Sequence, residues 1–151
     1  MNKRIEQITK YKKPEESPGY LLWNISLLWR TKIEEALKSL GLTHPQFVVL
    51  ATTGWLTRNN ENISQADVSR ASGFDPNTLS QILRGLEEKK LIKRVRVLNE
   101  RIKSPTLTAL GLEKLSLAMP AVEAVDTKFF ALLNKHELEQ LISIFQLFMP
   151  R

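Results

Sequence analysis

The chain has 151 residues, and with 42% hydrophobic and 25% charged residues its composition is that of one ordinary globular domain. It contains no cysteine, which excludes disulfides, thiolate metal sites and cysteine nucleophiles. A net charge of +6 favours a polyanionic partner. The sequence has neither a secretory signal nor an apolar run of membrane-spanning length, so we expect a cytoplasmic protein with no membrane partner.

The N-terminal third predicts a basic tail followed by two helices. Residues 1–16 are polar and charged, and then Ser17 supplies an N-cap oxygen and Pro18 a preset first turn. The helix predicted from there to Gly41 has apolar residues around about half of its circumference, wider than the roughly 100° stripe of one-sided packing. Such a helix needs two neighbours, so we assign residues 17–56 to a dimerisation and support region.

A second helix is predicted to open at Thr43 and Pro45 and to end between Gly54 and Asn60. A change of character follows, and we assign residues 57–107 to a DNA-binding region.

This region begins with a helix-turn-helix pattern. Ser64 and Asp67 form a capping box for a short helix that Gly73 ends. After a tight turn, Asp75 caps another helix and Pro76 starts it. We predict this second helix over residues 76–90 and interpret it as the recognition helix.

The recognition helix has two contrasting faces. One face is an apolar stripe at i, i+3, i+4 and i+7, formed by Leu79, Ile82, Leu83 and Leu86. The other carries hydrogen-bonding side chains near the helix N-terminus, where they would meet base edges in a major groove. The candidate DNA contacts of this helix are Asn77, Thr78, Ser80, Gln81 and Arg84.

A basic hairpin, or wing, is predicted over residues 92–107. Its strand-like runs, 93–97 and 102–107, are joined by a four-residue tip, and Pro105 requires an edge strand because it cannot donate a hydrogen bond. Between Pro76 and Thr106 there are eight Lys or Arg and three acids. The candidate DNA contacts of the wing are Arg94, Arg96, Asn99, Arg101 and Lys103. Protection of a strand edge is an alternative role for Lys93, Arg94 and Arg96.

The last region, residues 108–151, is predicted to form dimerisation helices. Thr108 caps a long apolar helix, Pro120 is expected to kink it, and Asn134 with Glu137 begins a final amphipathic helix. The terminal helices carry more apolar surface than one small core absorbs. We therefore predict a mainly α fold with a small β-wing, in which a winged helix-turn-helix domain is inserted between N- and C-terminal dimerisation helices.

In order and spacing, these motifs resemble the MarR family of bacterial transcriptional regulators over residues 17–148. The matching stretches are Tyr20-Leu21-Leu22, Leu42-Thr43-x-x-Gln46-Phe47-x-x-Leu50, Ser64-Gln65-x-Asp67-Val68, Thr78-Leu79-Ser80-Gln81-x-Leu83-x-x-Leu86-Glu87 and Leu107-Thr108-x-x-Gly111. Three positions depart from the family pattern. Lys90 stands where the family has glycine, Asn99 replaces the acid of the Asp-x-Arg wing tip, and Gln81 stands where arginine is frequent.

The resemblance implies a homodimeric regulator of transcription that binds double-stranded DNA. The helix over 76–90 would enter the major groove and Arg101 the minor groove. Two recognition helices about 34 Å apart would read a near-palindromic operator. Family members are commonly repressors released by a ligand, so a small aromatic or apolar effector is a hypothesis, with its binding residues unknown.

Two other classes of protein are alternatives to a DNA-binding regulator. The first alternative is a winged-helix module that binds protein without sequence-specific DNA binding. An enzyme is not expected, because the sequence shows no nucleophile with a neighbouring base, no carboxylate pair and no glycine-rich phosphate loop. We expect no cofactor, and no metal at the isolated His44 and His136. Trp23, Trp29 and Trp55 fit core packing better than an effector pocket.

Overall fold

The computed structural model describes residues 4–59, 62–96 and 103–150. Two short 3-10 turns precede six helices and one two-stranded antiparallel sheet. In chain order the elements are α1 (Pro18–Lys38), α2 (His44–Thr57), α3 (Gln65–Ser72), α4 (Pro76–Glu88), β1 (Ile92–Arg96), β2 (Lys103–Leu107), α5 (Ala109–Phe129) and α6 (Lys135–Phe148). The predicted fold class, mainly α with a small β-wing, is confirmed.

The helices begin where the sequence places polar caps, because a side-chain oxygen there accepts one of the N–H groups that the first turn leaves without a partner. α2, α3 and α6 have complete capping boxes, in which the third helical residue bonds back to the cap. The caps of α1 to α6 are Ser17, Thr43, Ser64, Asp75, Thr108 and Asn134.

One hydrophobic core joins the helix-turn-helix unit to α1 and α5. The apolar faces of α2, α3 and α4 meet in it, and the C-terminal half of α1 and the middle of α5 close it. Its most enclosed side chains are Ile33, Leu37, Val49, Leu50, Val68, Leu79, Leu83, Leu86 and Ala118. The position of the recognition helix therefore depends on α1 and α5 as well as on its immediate neighbours.

The wing strands pair from Ile92 opposite Leu107 to Arg96 opposite Lys103. Pro105 lies opposite Arg94, and a two-stranded sheet accommodates it because each strand has a free edge. The Ser104 hydroxyl donates to the Ile63 carbonyl at 2.6 Å, which ties the wing to the start of α3. The tip of the wing lies outside the described residues.

The exit of the wing contacts the end of α4 through backbone atoms. Leu91 O accepts from the Thr108 N–H at 3.1 Å, and a Cβ on Gly111 would lie 1.9 Å from the same oxygen. Only glycine allows this close approach. α5 continues through Pro120 to Phe129 as one helix.

The terminal helices leave apolar faces uncovered in the single chain. α6 has no buried residue, and Leu147 and Phe148 are 79% and 81% exposed. The N-terminal half of α1 is similar, with Leu22 63% and Leu28 59% exposed. A groove of about 1130 Å³ runs between α1, α5 and α6. Within the described ranges, no helix is long and apolar enough to cross a membrane.

The recognition helix ends at Glu88, two residues before the predicted boundary, and Lys90 follows with φ of +59°. The Leu91 N–H donates to Leu86 O at 2.9 Å, and the Lys90 N–H donates to Glu87 O at 2.8 Å. These bonds form a Schellman motif, whose left-handed position is normally glycine. Lys90 occupies that position at a cost in backbone energy.

We expect Lys90→Gly to stabilise the fold by about 0.5–1 kcal/mol, because glycine removes the left-handed penalty although it adds entropy to the unfolded chain. Urea unfolding at a fixed protomer concentration measures the change. Glu88→Gly is the control, since in the last helical residue glycine is expected to destabilise. A Lys90→Gly protein less stable than wild type would contradict this account of the turn.

Candidate nucleic-acid interface

α4 presents one polar face outward and buries the other. Asn77, Gln81 and Arg84 are exposed and, at i, i+4 and i+7, lie on one side of the helix. On the opposite side Leu79 and Leu83 are at most 1% exposed. Because the buried face fixes the rotation of the helix about its axis, these three side chains are held facing solvent.

The first turn of α4 is rigid because Asp75 bonds it several times. Its carboxylate accepts from the Asn77 and Thr78 N–H groups at 3.0 Å each and from the Thr78 hydroxyl at 2.6 Å. The hydrogen bond from the Thr78 hydroxyl is the main reason that the pKa of Asp75 lies below its ordinary value. The hydroxyl of Thr78, a predicted DNA contact, thus donates its hydrogen bond to the capping carboxylate of Asp75 and can only accept a hydrogen bond from DNA. Ser80 is half-buried beside the exposed face.

The turn before α4 is held by a side chain as well as by its backbone. Gly73 closes α3 in the left-handed conformation, with its N–H donating to Ser69 O at 2.9 Å. The Ser69 hydroxyl donates to Phe74 O at 2.6 Å. The angle between α3 and α4, on which entry into a DNA groove depends, is therefore supported from both sides of the turn.

Arg94 differs from the other predicted wing contacts. Its side chain is 15% exposed and pairs with Glu87 of α4, while Nη1 donates to Gln65 Oε1 at 3.1 Å. The guanidinium thereby joins β1, α4 and α3. This engagement favours a role in positioning the wing on the recognition helix, and direct DNA contact by Arg94 stays a prediction without support from the geometry.

Four other wing residues are predicted to contact DNA. Arg96 and Lys103 form the last pair of the sheet, so their backbones place them where the wing leaves the body of the domain. Their side chains, and the whole of Asn99 and Arg101, lie outside the described part of the structure. The four DNA contacts predicted for these residues stay predictions.

The tryptophans do not share the environment that the sequence predicts. Core packing is wrong for Trp23 and Trp55, which are each 66% exposed, and the Trp55 ring instead carries the Arg58 guanidinium at 3.9 Å. Trp29 is half-buried and its Nε1 donates to Asp126 Oδ1 at 2.7 Å. Trp23 and Trp55 are exposed because they lie on parts of α1 and α2 that extend beyond the core.

Of the two histidines, His44 is buried and His136 is exposed. The His44 ring meets Trp29 edge-on at 5.1 Å between centroids, and burial lowers the pKa of its imidazole. No cluster of His, Asp or Glu in the described ranges has the geometry of a metal site. The contact is one of packing where α1 crosses α2.

The polar partners that hold α4 in place could not be identified from the sequence. Gln65 lies 29 residues from Arg94, and Gln46 lies 43 residues from Lys89, to which it is bonded. Both glutamines occupy helix first turns inside motifs that the sequence singled out. Their presence in those motifs was the one sequence feature that indicated a structural role. The residues around each glutamine do not identify a partner so far along the chain.

Comparison with known proteins agrees with this architecture. The family model for the transcriptional regulator SarA/Rot matches residues 31–102. The HTH-type transcriptional regulator YdcH of Bacillus subtilis is 34% identical over 88% of this chain and 91% of its own length. The HTH-type transcriptional repressor Rv2887 of Mycobacterium tuberculosis is 32% identical over 77% of this chain and 81% of its own.

Rv2887, a MarR-family protein, has also been solved with ligands. Its complex with DNA matches with a TM-score of 0.67 and 26% identity, covering 86% of this chain and 95% of the other. Its complex with salicylic acid matches with a TM-score of 0.66 and 28% identity, covering 86% and 94%. The fold is a winged helix-turn-helix with an exposed polar recognition helix, and its relatives are transcriptional regulators. The chain is therefore a transcriptional regulator, a class that is not enzymatic. The chain belongs to the MarR family.

Proposed function

We propose that this chain is a sequence-specific repressor that binds a near-palindromic operator as a homodimer. The observation that carries the proposal is the exposed face of α4, where Asn77, Gln81 and Arg84 are held outward by a fully buried opposite face. These side chains offer the donors and acceptors that distinguish base pairs in a major groove. Repression is proposed because the relative Rv2887 is a repressor.

The basic charge near the recognition helix supplies affinity that does not depend on sequence. Lys and Arg outnumber acids by eight to three between Pro76 and Thr106. The Glu87–Arg94 pair and the surface hydrogen bonds of Lys89 engage part of this charge with other groups of the same chain. We assign the phosphate contacts to Lys93, Arg96 and Lys103 of the wing, with Arg101 at the wing tip in the minor groove.

A homodimer is proposed because the terminal helices are uncovered in the single chain. α6 buries no residue against its own chain, and the groove between α1, α5 and α6 is lined mainly by apolar side chains, including Leu21, Ile25, Phe129 and Phe145. Isolated monomers rarely expose a continuous apolar surface of this kind. We propose that a second copy covers it with the same helices and that the dimer presents two α4 helices about one DNA turn apart.

A small aromatic or apolar acid is proposed as the effector that releases DNA. The relative Rv2887 binds salicylic acid, and this chain has the same arrangement of reading unit and terminal helices.

Since its target is the bacterial operator, the protein is proposed to act in the cytoplasm.

The test is to select fragments of genomic DNA with the purified protein and to titrate the selected duplex against salt. We expect a near-palindromic consensus and a log K that falls linearly with log salt, by about 0.9 for each phosphate contact. Salicylic acid, the probe compound, is expected to weaken binding. No preference over random DNA would overturn the proposal, and capture of a protein in place of DNA would support the interaction-module alternative.

A further inference from the structure

A polar junction joins the C-terminal end of α4 to the connection between α1 and α2. The Lys89 ammonium donates to the Gly41 carbonyl at 2.6 Å and to Gln46 Oε1 at 2.7 Å. Gly41 follows the end of α1, and Gln46 lies in the first turn of α2. Lys89, the residue that follows α4, therefore contacts both the connection that follows α1 and the first turn of α2.

Gln46 is also held in place by hydrogen bonds that do not involve Lys89. Its Oε1 also accepts from the Thr43 N–H at 3.3 Å, while the Gln46 N–H donates to the Thr43 hydroxyl at 3.2 Å. Its Nε2 lies against Gly85, where an added Cβ would approach to 3.1 Å. A side chain at position 85 would therefore require the Gln46 amide to shift by a few tenths of an ångström.

Backbone hydrogen bonds also fix the Gly41 side of the junction. The Leu42 N–H donates to Leu37 O at 3.4 Å and the Gly41 N–H donates to Lys38 O at 3.1 Å, which closes α1 with a Schellman motif. Leu37 is fully buried. The Lys89 ammonium thus lies at the negative end of the α1 dipole, where a cation is favoured.

We propose that Lys89, Gln46 and the Gly41 carbonyl form a latch that sets the tilt of α4 relative to α1, so that Lys89 and Gln46 are positioning residues for operator binding. The inference rests on the proposed function, in which α1 belongs to the dimer and α4 reads DNA. Asn77 lies about 18 Å along the helix from Lys89 at 1.5 Å per residue. A tilt of about 10° would therefore move Asn77 by about 3 Å, enough to break a hydrogen bond to a base.

The absence of cysteine from the chain allows a direct measurement of this tilt. Spin labels on Lys38→Cys and Asn77→Cys report the distance from α1 to α4 by double electron–electron resonance. Excess unlabelled wild-type chain confines the measured distance to one protomer. Lys89→Met, which keeps the side-chain length but removes the ammonium, is expected to shift or broaden the distance distribution by about 3 Å.

Three further variants separate the latch from a loss of charge or of folding. Gln46→Met removes the acceptor and should reproduce the Lys89→Met distribution, whereas Gln46→Glu keeps an acceptor for both Lys89 and Thr43 and should match wild type. Lys90→Met removes the same charge one residue away and should also match wild type. Unchanged distributions in both Lys89→Met and Gln46→Met would overturn the proposal.

Operator binding supplies the second readout. Lys89→Met is expected to lower operator affinity about tenfold while leaving the salt slope unchanged. A slope reduced by about 0.9 would instead make Lys89 a phosphate contact and overturn its positioning role. If the distance changes while wild type binds no DNA, the latch stands and the proposed function fails.

Discussion

Gly111→Ala is expected to destabilise the protein by about 3 kcal/mol, at the upper end of the range for inserting a group into a packed site. The added Cβ would lie 1.9 Å from Leu91 O and 2.9 Å from Leu91 C. These are backbone atoms, and Leu91 O already accepts from the Thr108 N–H, so relief of the clash must separate α5 from the end of the recognition helix. Urea unfolding at a fixed protomer concentration measures the loss.

The matched control is Gly19→Ala in the first turn of α1. A Cβ there would meet only Ser17 Oγ, at 3.9 Å, an ordinary contact. This variant is expected to remain within about 1 kcal/mol of wild type. If the two alanine variants unfold at the same urea concentration, Gly111 is not required by the close approach at Leu91.

The double variant Gln81→Ala/Arg84→Ala is expected to lower operator affinity at least about 25-fold. Each well-formed contact to a base edge contributes about 1–3 kcal/mol, and every 1.4 kcal/mol is tenfold in affinity. Both residues are exposed, so urea unfolding should be almost unchanged. Fluorescence anisotropy with operator and with random duplex separates lost specificity from lost affinity.

Lys135→Ala is the control for that measurement. It removes one exposed positive charge at the start of α6, far from α4 in the chain, and should leave operator binding near wild type. Operator affinity of the double variant within twofold of this control would contradict the assignment of the reading face. Single variants then show whether Gln81 or Arg84 contributes more.

The helix starts and the two faces of α4 were predictable because their causes are local. Each cap side chain bonds an N–H two or three residues ahead, and the apolar spacing of Leu79, Leu83 and Leu86 defines the buried side of the recognition helix. The exposure of Asn77, Gln81 and Arg84 follows from that spacing. For the same reason, the excess apolar surface of the terminal helices could be predicted from the sequence alone.

Tertiary structure decided which charged residues face solvent and which bind other parts of the chain. In the basic sequence of the wing, Arg94 and Arg96 are indistinguishable, and both are predicted to contact DNA. The fold, however, brings Glu87 and Gln65 to Arg94. Lys89 likewise finds partners 43 and 48 residues earlier. Such pairs depend on how helices pack in three dimensions, whereas caps and amphipathic spacing depend on the geometry of a single helix turn, which the order of residues already determines.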